Sequence, residues 1–293
     1  MAEPSRVPAI VNLRSGTAEA AREALEASGA FDLHQVEPDA IDSTIRDLVK
    51  SGARRILVAG GDGTIATAAA ALLGTDTELA ILPGGTLNHF ARDLGISTVA
   101  AEAVELAANP GTRQVDVGVV NGRVFLNTSS VGGYVRFVHT REKLEQHFGY
   151  RLSSMISAVR IATTLRRMGV EIEVEGRSRI FRTPLVFIGV GERELEFPVL
   201  GGRVKDGRRG LHIMVVKGRS RLRMLGIGAV AILRGLKAVS RSGHFEDVIV
   251  DRATITMRGQ GWVALDGEIA RLGTPLEYEL RRGALSVVCP PPT

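Results

Sequence analysis

The first hundred residues alternate short apolar runs with longer amphipathic stretches. Pro8 to Leu13 (PAIVNL), Arg55 to Ala59 (RILVA) and Leu79 to Leu82 are apolar almost throughout, as a parallel strand covered on both faces requires. Phe31 to Val36 alternates apolar and polar positions, the pattern of a half-buried strand. Between these runs lie helical stretches: Ala18 to Ser28, stopped by Gly29; Ala40 to Lys50, stopped by Gly52; and the alanine-rich Ile65 to Leu73. Asn88 to Leu94 and Val99 to Ala108 are two more. Repeated β-α units imply a parallel sheet with helices on both faces, and so an α/β fold.

Around Asn109-Pro110-Gly111 the pattern changes. Strand-like segments follow one another: Gln114 to Val120, Val124 to Ser129, Val170 to Val174, Arg179 to Ile188 and Leu211 to Val216. Val248 to Met257, Gly261 to Leu265 and Leu276 to Leu280 continue the series, interrupted by helical stretches at Arg141 to Arg167 and Leu222 to Val239. The chain therefore reads as a parallel α/β domain over 1–112, completed by a terminal strand at about 273–293, and a β-rich domain over 113–272.

The composition is ordinary for a globular chain of 293 residues, 44% apolar and 24% charged. A net charge of +5 and a pI near 9.8 favour anionic partners: nucleotides, nucleic acid or anionic lipid surfaces. Aromatic content of 4% argues against reading single strands by base stacking, and no recognised nucleic-acid motif accompanies the charge. Cys289 stands alone, so neither an internal disulfide nor a cysteine metal site is expected. The N-terminus lacks the pattern of a signal peptide, and the longest apolar run, Leu225 to Leu233, is short of the ~20 residues that span a bilayer. A cytoplasmic location with at most peripheral membrane contact is expected. Between Arg203 and Arg241 there are eleven Lys/Arg residues and one acidic residue, Asp206. This basic stretch flanks an apolar segment, as in a helix docked on an anionic membrane or in a core helix with a solvated rim.

Candidate chemistry gathers at glycine-rich turns. Gly60-Gly61-Asp62-Gly63-Thr64 follows a buried strand and precedes a helix. Glycine there is expected to supply positive φ and close backbone approach, and the free amides of the following helix a phosphate cradle. Asp62 is a carboxylate in that cradle, which suggests Mg²⁺ between it and the phosphates. Downstream, Leu82-Pro83-Gly84-Gly85-Thr86-Leu87-Asn88 leads into a helix, with Thr86 and Asn88 able to bind phosphate or cap that helix.

The first turn resembles the nucleotide loop shared by diacylglycerol, sphingosine and NAD kinases and phosphofructokinases. The run Leu82 to Ile96 resembles the lipid-kinase pattern LPxGTxNDFARxLGI, and Asn12-Leu13-Arg14-Ser15-Gly16 is similar to the family's NPxSG loop. Asp116-Val117-Gly118, Asn121, Phe125-Leu126-Asn127 and Gly132 match the start of its β-rich domain, and Asp266-Gly267-Glu268 its DGE motif. The resemblance to the diacylglycerol kinase family implies an ATP- and Mg²⁺-dependent lipid kinase that phosphorylates a lipid hydroxyl. It implies nucleotide contacts at Asn12, Ser15, Gly16, Gly60, Gly61, Asp62, Gly63, Thr64, Gly85, Thr86 and Asn88. Asp266 is then the proton acceptor, with Glu268 supporting the metal. From the dipeptide alone, Asp266-Gly267 reads as a hairpin turn. The loop around Asp206 resembles one that holds a structural Mg²⁺ in bacterial lipid kinases, and a solvated turn is the other reading. Ala66, Thr67, His89 and Tyr134 depart from the pattern. An NAD-kinase-like enzyme and a nucleotide-binding member without kinase activity stay open as alternatives.

Overall fold

The structure, a computed structural model, describes residues 6–109, 111–132, 167–195, 200–216, 245–258 and 261–291. The expected helices at Arg141 to Arg167 (all but its last residue) and Leu222 to Val239 lie outside these residues, as do Tyr134 and most of the basic stretch.

In chain order the elements are β1 (Val7–Asn12), α1 (Ala18–Ser28), β2 (Phe31–Val36), α2 (Ile41–Lys50), β3 (Arg55–Gly60), α3 (Asp62–Leu72), β4 (Glu78–Pro83), α4 (His89–Asp93) and α5 (Ala100–Ala108). There follow β5 (Thr112–Val120), β6 (Arg123–Phe125), β7 (Thr128–Gly132), β8 (Met168–Val174), β9 (Arg177–Thr183) and β10 (Leu185–Val190). The chain closes with β11 (Arg193–Leu195), β12 (Leu200–Arg203), β13 (Leu211–Val216), β14 (Phe245–Val250), β15 (Arg252–Met257), β16 (Gly261–Leu265), β17 (Glu268–Leu272) and β18 (Leu276–Val288).

The chain divides into two units, Met1–Val117 with Arg281–Thr293, and Gly118–Leu280. In the first unit the strand order is β2-β1-β3-β4, all parallel, with the end of β18 joining β4 in parallel at Val287 and Leu79. Ile10, Ile56, Leu57, Val58, Leu79 and Ala80 are fully buried, which accounts for the unbroken apolar runs. α1 ends where Gly29 takes the left-handed conformation, and the small side chains of α3 let Ala68, Ala69 and Ala71 sink into the core. The chain leaves β1 toward β2 on one side and β3 toward β4 on the other. The sheet's switch point therefore lies between β1 and β3, where open α/β sheets bind ligands beyond the strand ends.

In the second unit β18, β15, β8 and β9 form one antiparallel run, and β14-β13-β10-β7-β16-β17 another. Val131, Val186, Ile188, Ile213, Ile255, Val263 and Leu276 fill its core. Tyr278 packs edge-on against Phe125, ring centroids 6.1 Å apart, and shares a 2.9 Å hydrogen bond with the Ser129 hydroxyl.

Three expected single strands are broken. Val124 to Ser129 divides at Leu126-Asn127, whose amides bond to a distant carboxylate instead of a ladder partner. Arg179 to Ile188 divides at Pro184, which lacks an N–H, beside a turn in which Thr183 Oγ1 donates to the Leu185 carbonyl. Val248 to Met257 divides at Asp251 because β14 and β15 join different sheets. β18 runs on past Leu280 to Val288, with Gly283 at φ 54° donating its N–H to Asp116. β11, β12 and β17 were not expected.

Candidate functional site

The loops after β1, β3 and β4 are tied together in the first unit, at the switch point the topology defines. Asn12 Nδ2 donates to Thr64 Oγ1 at 2.8 Å, while its Oδ1 accepts the Arg14 N–H. The hydroxyls of Ser15 and Thr17 both donate to the Gly84 carbonyl at 3.1 Å, and Gly84 N–H donates to the Gly60 carbonyl at 2.8 Å. Asn88, buried and left-handed at φ 49°, accepts the Gly85 N–H at 2.8 Å and donates back to the Gly85 carbonyl at 2.7 Å. It stands at the N-cap of α4 but spends its side chain on the turn, so the capping reading does not hold for it. Thr86 is exposed beside it, and Gly16 is exposed with open space where a Cβ would stand.

The glycines serve a different purpose from the one expected. None of Gly60, Gly61, Gly63, Gly84 and Gly85 lies at positive φ, and Gly61 is extended at φ −83°, ψ −178°. Gly60, Gly61, Gly84 and Gly85 instead make close contacts. A Cβ on Gly85 would stand 2.8 Å from Gly61 Cα, one on Gly60 2.6 Å from the Thr64 side chain, and one on Gly84 2.5 Å from Thr17 Oγ1. The two glycine turns thus pack back to back, main chain against main chain.

α3 begins at Asp62, three residues earlier than the alanine run suggests, so Asp62, Gly63 and Thr64 form its first turn. The first ladder bond runs from Ile65 N–H to Gly61 carbonyl, and no side chain caps the helix. The preceding amides and the positive end of the helix are therefore offered to an anion. Burial raises the Asp62 carboxyl above its ordinary range, opposed by the nearby His89 ring and by the amides of Phe90, His89 and Asn88. A nearby cation would offset that burial penalty, which makes Asp62 the carboxylate of this turn that could hold a metal ion.

Asp266, Glu268 and Asp206 belong to the second unit. Asp266 and Gly267, at φ 47° and 95°, make the two-residue turn joining β16 to β17, with Leu265 facing Glu268. The Asp266 carboxylate also accepts three main-chain N–H groups: Leu126 at 2.6 Å, Asn127 at 2.8 Å and Thr128 at 2.8 Å. Hairpin turn and anchored carboxylate are both present. Close by in sequence, Asn127 Oδ1 and Ser130 Oγ are buried and without a hydrogen-bond partner. Glu268 is exposed at the start of β17. Asp206 is exposed at φ 58°, on a turn closed by Gly207 N–H and the Val204 carbonyl. Among the described residues, no three His, Cys, Asp or Glu side chains gather to hold a metal ion.

Sequence reasoning missed Thr17, whose position before α1 reads as an ordinary helix cap but whose hydroxyl holds Gly84. Asn121 proves to be a staple: its amide donates to the Gly273 and Pro275 carbonyls and its Oδ1 accepts Glu277 N–H.

Comparison with known proteins bears on the same residues. Residues 6–120 match the model of the diacylglycerol kinase catalytic domain. A Pseudomonas fluorescens Pf-5 protein named "Probable lipid kinase YegS-like" is 32% identical over 150 residues, 50% of this chain and 49% of that one. The diacylglycerol kinase of Bacillus subtilis strain 168 is 34% identical over 126 residues, 42% and 41% of the two chains. These matches thus span about half or less of the relatives' length. A diacylglycerol kinase structure from Bacillus anthracis Sterne superposes with TM-score 0.71 at 24% identity, covering 98% of this chain and 97% of that one. A further structure of that kind from the same organism gives 0.75 at 26%, with the same coverage. Taken with the tied glycine turns at the switch point, these likenesses support a place for the chain among the diacylglycerol-kinase-like lipid kinases, the catalytic-domain match covering residues 6–120.

Proposed function

We propose that this protein transfers the γ-phosphate of ATP to the hydroxyl of a diacylglycerol-like lipid. The observation that carries the reading is the uncapped start of α3, framed by two back-to-back glycine turns, inside the segment that matches the diacylglycerol kinase catalytic domain. Bound ATP supplies the phosphoryl group, and its Mg²⁺ screens phosphate charge. The amides of Asp62, Gly63 and Thr64 would bind phosphate oxygens, Asn12 and Asn88 hold the loops in register, and the Asp62 carboxylate would be the group to hold the cation. Asp266 is assigned the proton of the lipid hydroxyl, because that alcohol is too weak an acid to ionise unaided. The protein works in the cytoplasm and meets its lipid at the surface of an anionic membrane.

The test is phosphate transfer from radiolabelled ATP to a panel of lipid alcohols in mixed micelles, with NAD as a further acceptor. Label in a lipid supports the proposal. Label in NAD alone points to an NAD kinase, and ATP binding without transfer points to a member that binds nucleotide only.

A further inference from the structure

The loop between β12 and β13 is where the family resemblance implies a structural Mg²⁺, bound by Asp206 and nearby carbonyls. The donors present do not fit that ion. The Val204 carbonyl accepts Gly207 N–H, the Glu192 carbonyl accepts Val204 N–H at 2.9 Å, and the Arg208 carbonyl accepts Glu192 N–H at 3.0 Å. The Val204, Glu192 and Arg208 carbonyls are thus already engaged by main-chain amides. Glu192, the carboxylate that faces the loop, takes the Arg208 N–H at 2.8 Å and both arms of the Arg208 guanidinium at 3.2 and 3.1 Å. A second guanidinium, Arg203, lies against the same turn, so close that a Cβ on Gly191 would stand 3.0 Å from its Nε. Arg193, the next residue along, is buried, with Nε donating to the Val190 carbonyl and its N–H to His212 Nδ1. Lys205, Arg208 and Arg209 surround Asp206 in the sequence. A divalent cation would enter among these guanidinium groups, with the Glu192 carboxylate already paired to Arg208 and Asp206 left as the one acidic side chain of the loop.

We propose that in this chain the Arg208–Glu192 pair braces the β12–β13 loop in place of a divalent cation. This loop then holds its shape without metal. Arginine suits the substitution because its planar fork grips a carboxylate at two points and cannot be chelated away.

The experiment uses the full chain without nucleotide. Hydrogen exchange of peptides spanning residues 190–210 is measured in EDTA, in millimolar Mg²⁺ and in millimolar Ca²⁺, and Mn²⁺ binding is followed by electron paramagnetic resonance. Equal protection in all three media is expected, together with several-fold faster exchange in Arg208→Ala and an intermediate effect in Arg208→Lys. Exchange unchanged in Arg208→Ala would overturn the brace. A saturable Mn²⁺ site that survives Asp62→Asn and disappears in Asp206→Asn would overturn the metal-free loop.

Discussion

Gly85→Ala adds one methyl group at the tightest point between the two glycine turns. Its Cβ would lie 2.8 Å from Gly61 Cα and 3.0 Å from Asn88 Oδ1. Carbon atoms in contact rest about 3.5–4.0 Å apart, so the turns must separate by roughly 0.7 Å or more. The obstructing Gly61 atom is main chain and cannot swing aside as a flexible side chain would. Overpacking of this kind costs about 1–3 kcal/mol. At about 4 °C per kcal/mol for a unit of this size, the melting temperature should fall by about 4–12 °C. Function should suffer more than stability, because Gly61 carries the start of α3 with it, and misplacing reacting groups by ~1 Å costs about 10²-fold in turnover. Thermal denaturation and calorimetric titration with ATP measure the two effects. Two controls calibrate them. Gly61→Ala meets Gly85 Cα at a gentler 3.3 Å and should cost less, while Gly16→Ala meets nothing within 4 Å and should leave the melting temperature alone. If Gly85→Ala melts with the wild type and binds ATP equally well, the two turns do not pack as described.

Three other outcomes are expected. Because burial raises the Asp62 carboxyl, the folded state holds that proton more tightly than the unfolded chain, so stability is lost as pH rises through the folded value. The stability of Asp62→Asn relative to wild type should therefore rise with pH above the ordinary carboxylate pKa of about 4, on top of a pH-independent loss because its amide nitrogen sets a donor against the N–H groups of Asn88, His89 and Phe90, and phosphate transfer should be abolished. In Asp266→Asn an amide nitrogen replaces one of the oxygens that accept Leu126, Asn127 and Thr128, setting donor against donor. Urea unfolding should show a loss of about 1–3 kcal/mol. Burial holds the His212 imidazole below its ordinary pKa, so the unfolded chain takes up a proton near pH ~6.5 that the folded chain refuses. Stability should fall as pH drops below that value, and His212→Gln should flatten the slope.

The parallel half was legible in the sequence because burial on both faces leaves apolar runs such as RILVA that nothing else explains, and because Gly29 closes α1 by its own conformation. The motif residues Asn12, Ser15, Gly60, Gly61, Gly85 and Asn88 do converge in one place. What they do there was not legible, since the reason for glycine at Gly85 is the main chain of Gly61, a contact that local pattern does not encode. The β-rich half shows the same limit. Leu126 and Asn127 look like the middle of a strand, and only a carboxylate about 140 residues away tells otherwise. β17 was missed because EIARL mixes charged and apolar positions, although the Asp-Gly pair before it announces a hairpin.

The division of the chain has a consequence for synthesis. The first unit is written in two pieces, with the whole second unit between them. When β4 leaves the ribosome, Leu79 still lacks its neighbour Val287, and the missing partner follows roughly 10–40 s later at ~5–20 residues per second. For that interval the nascent parallel sheet shows an unpaired apolar edge, the kind of edge that invites other chains. Shielding of that edge, by a chaperone or by slow translation elsewhere, is thus a requirement of the gene order itself, and swapping the tail to the front of the chain would remove it.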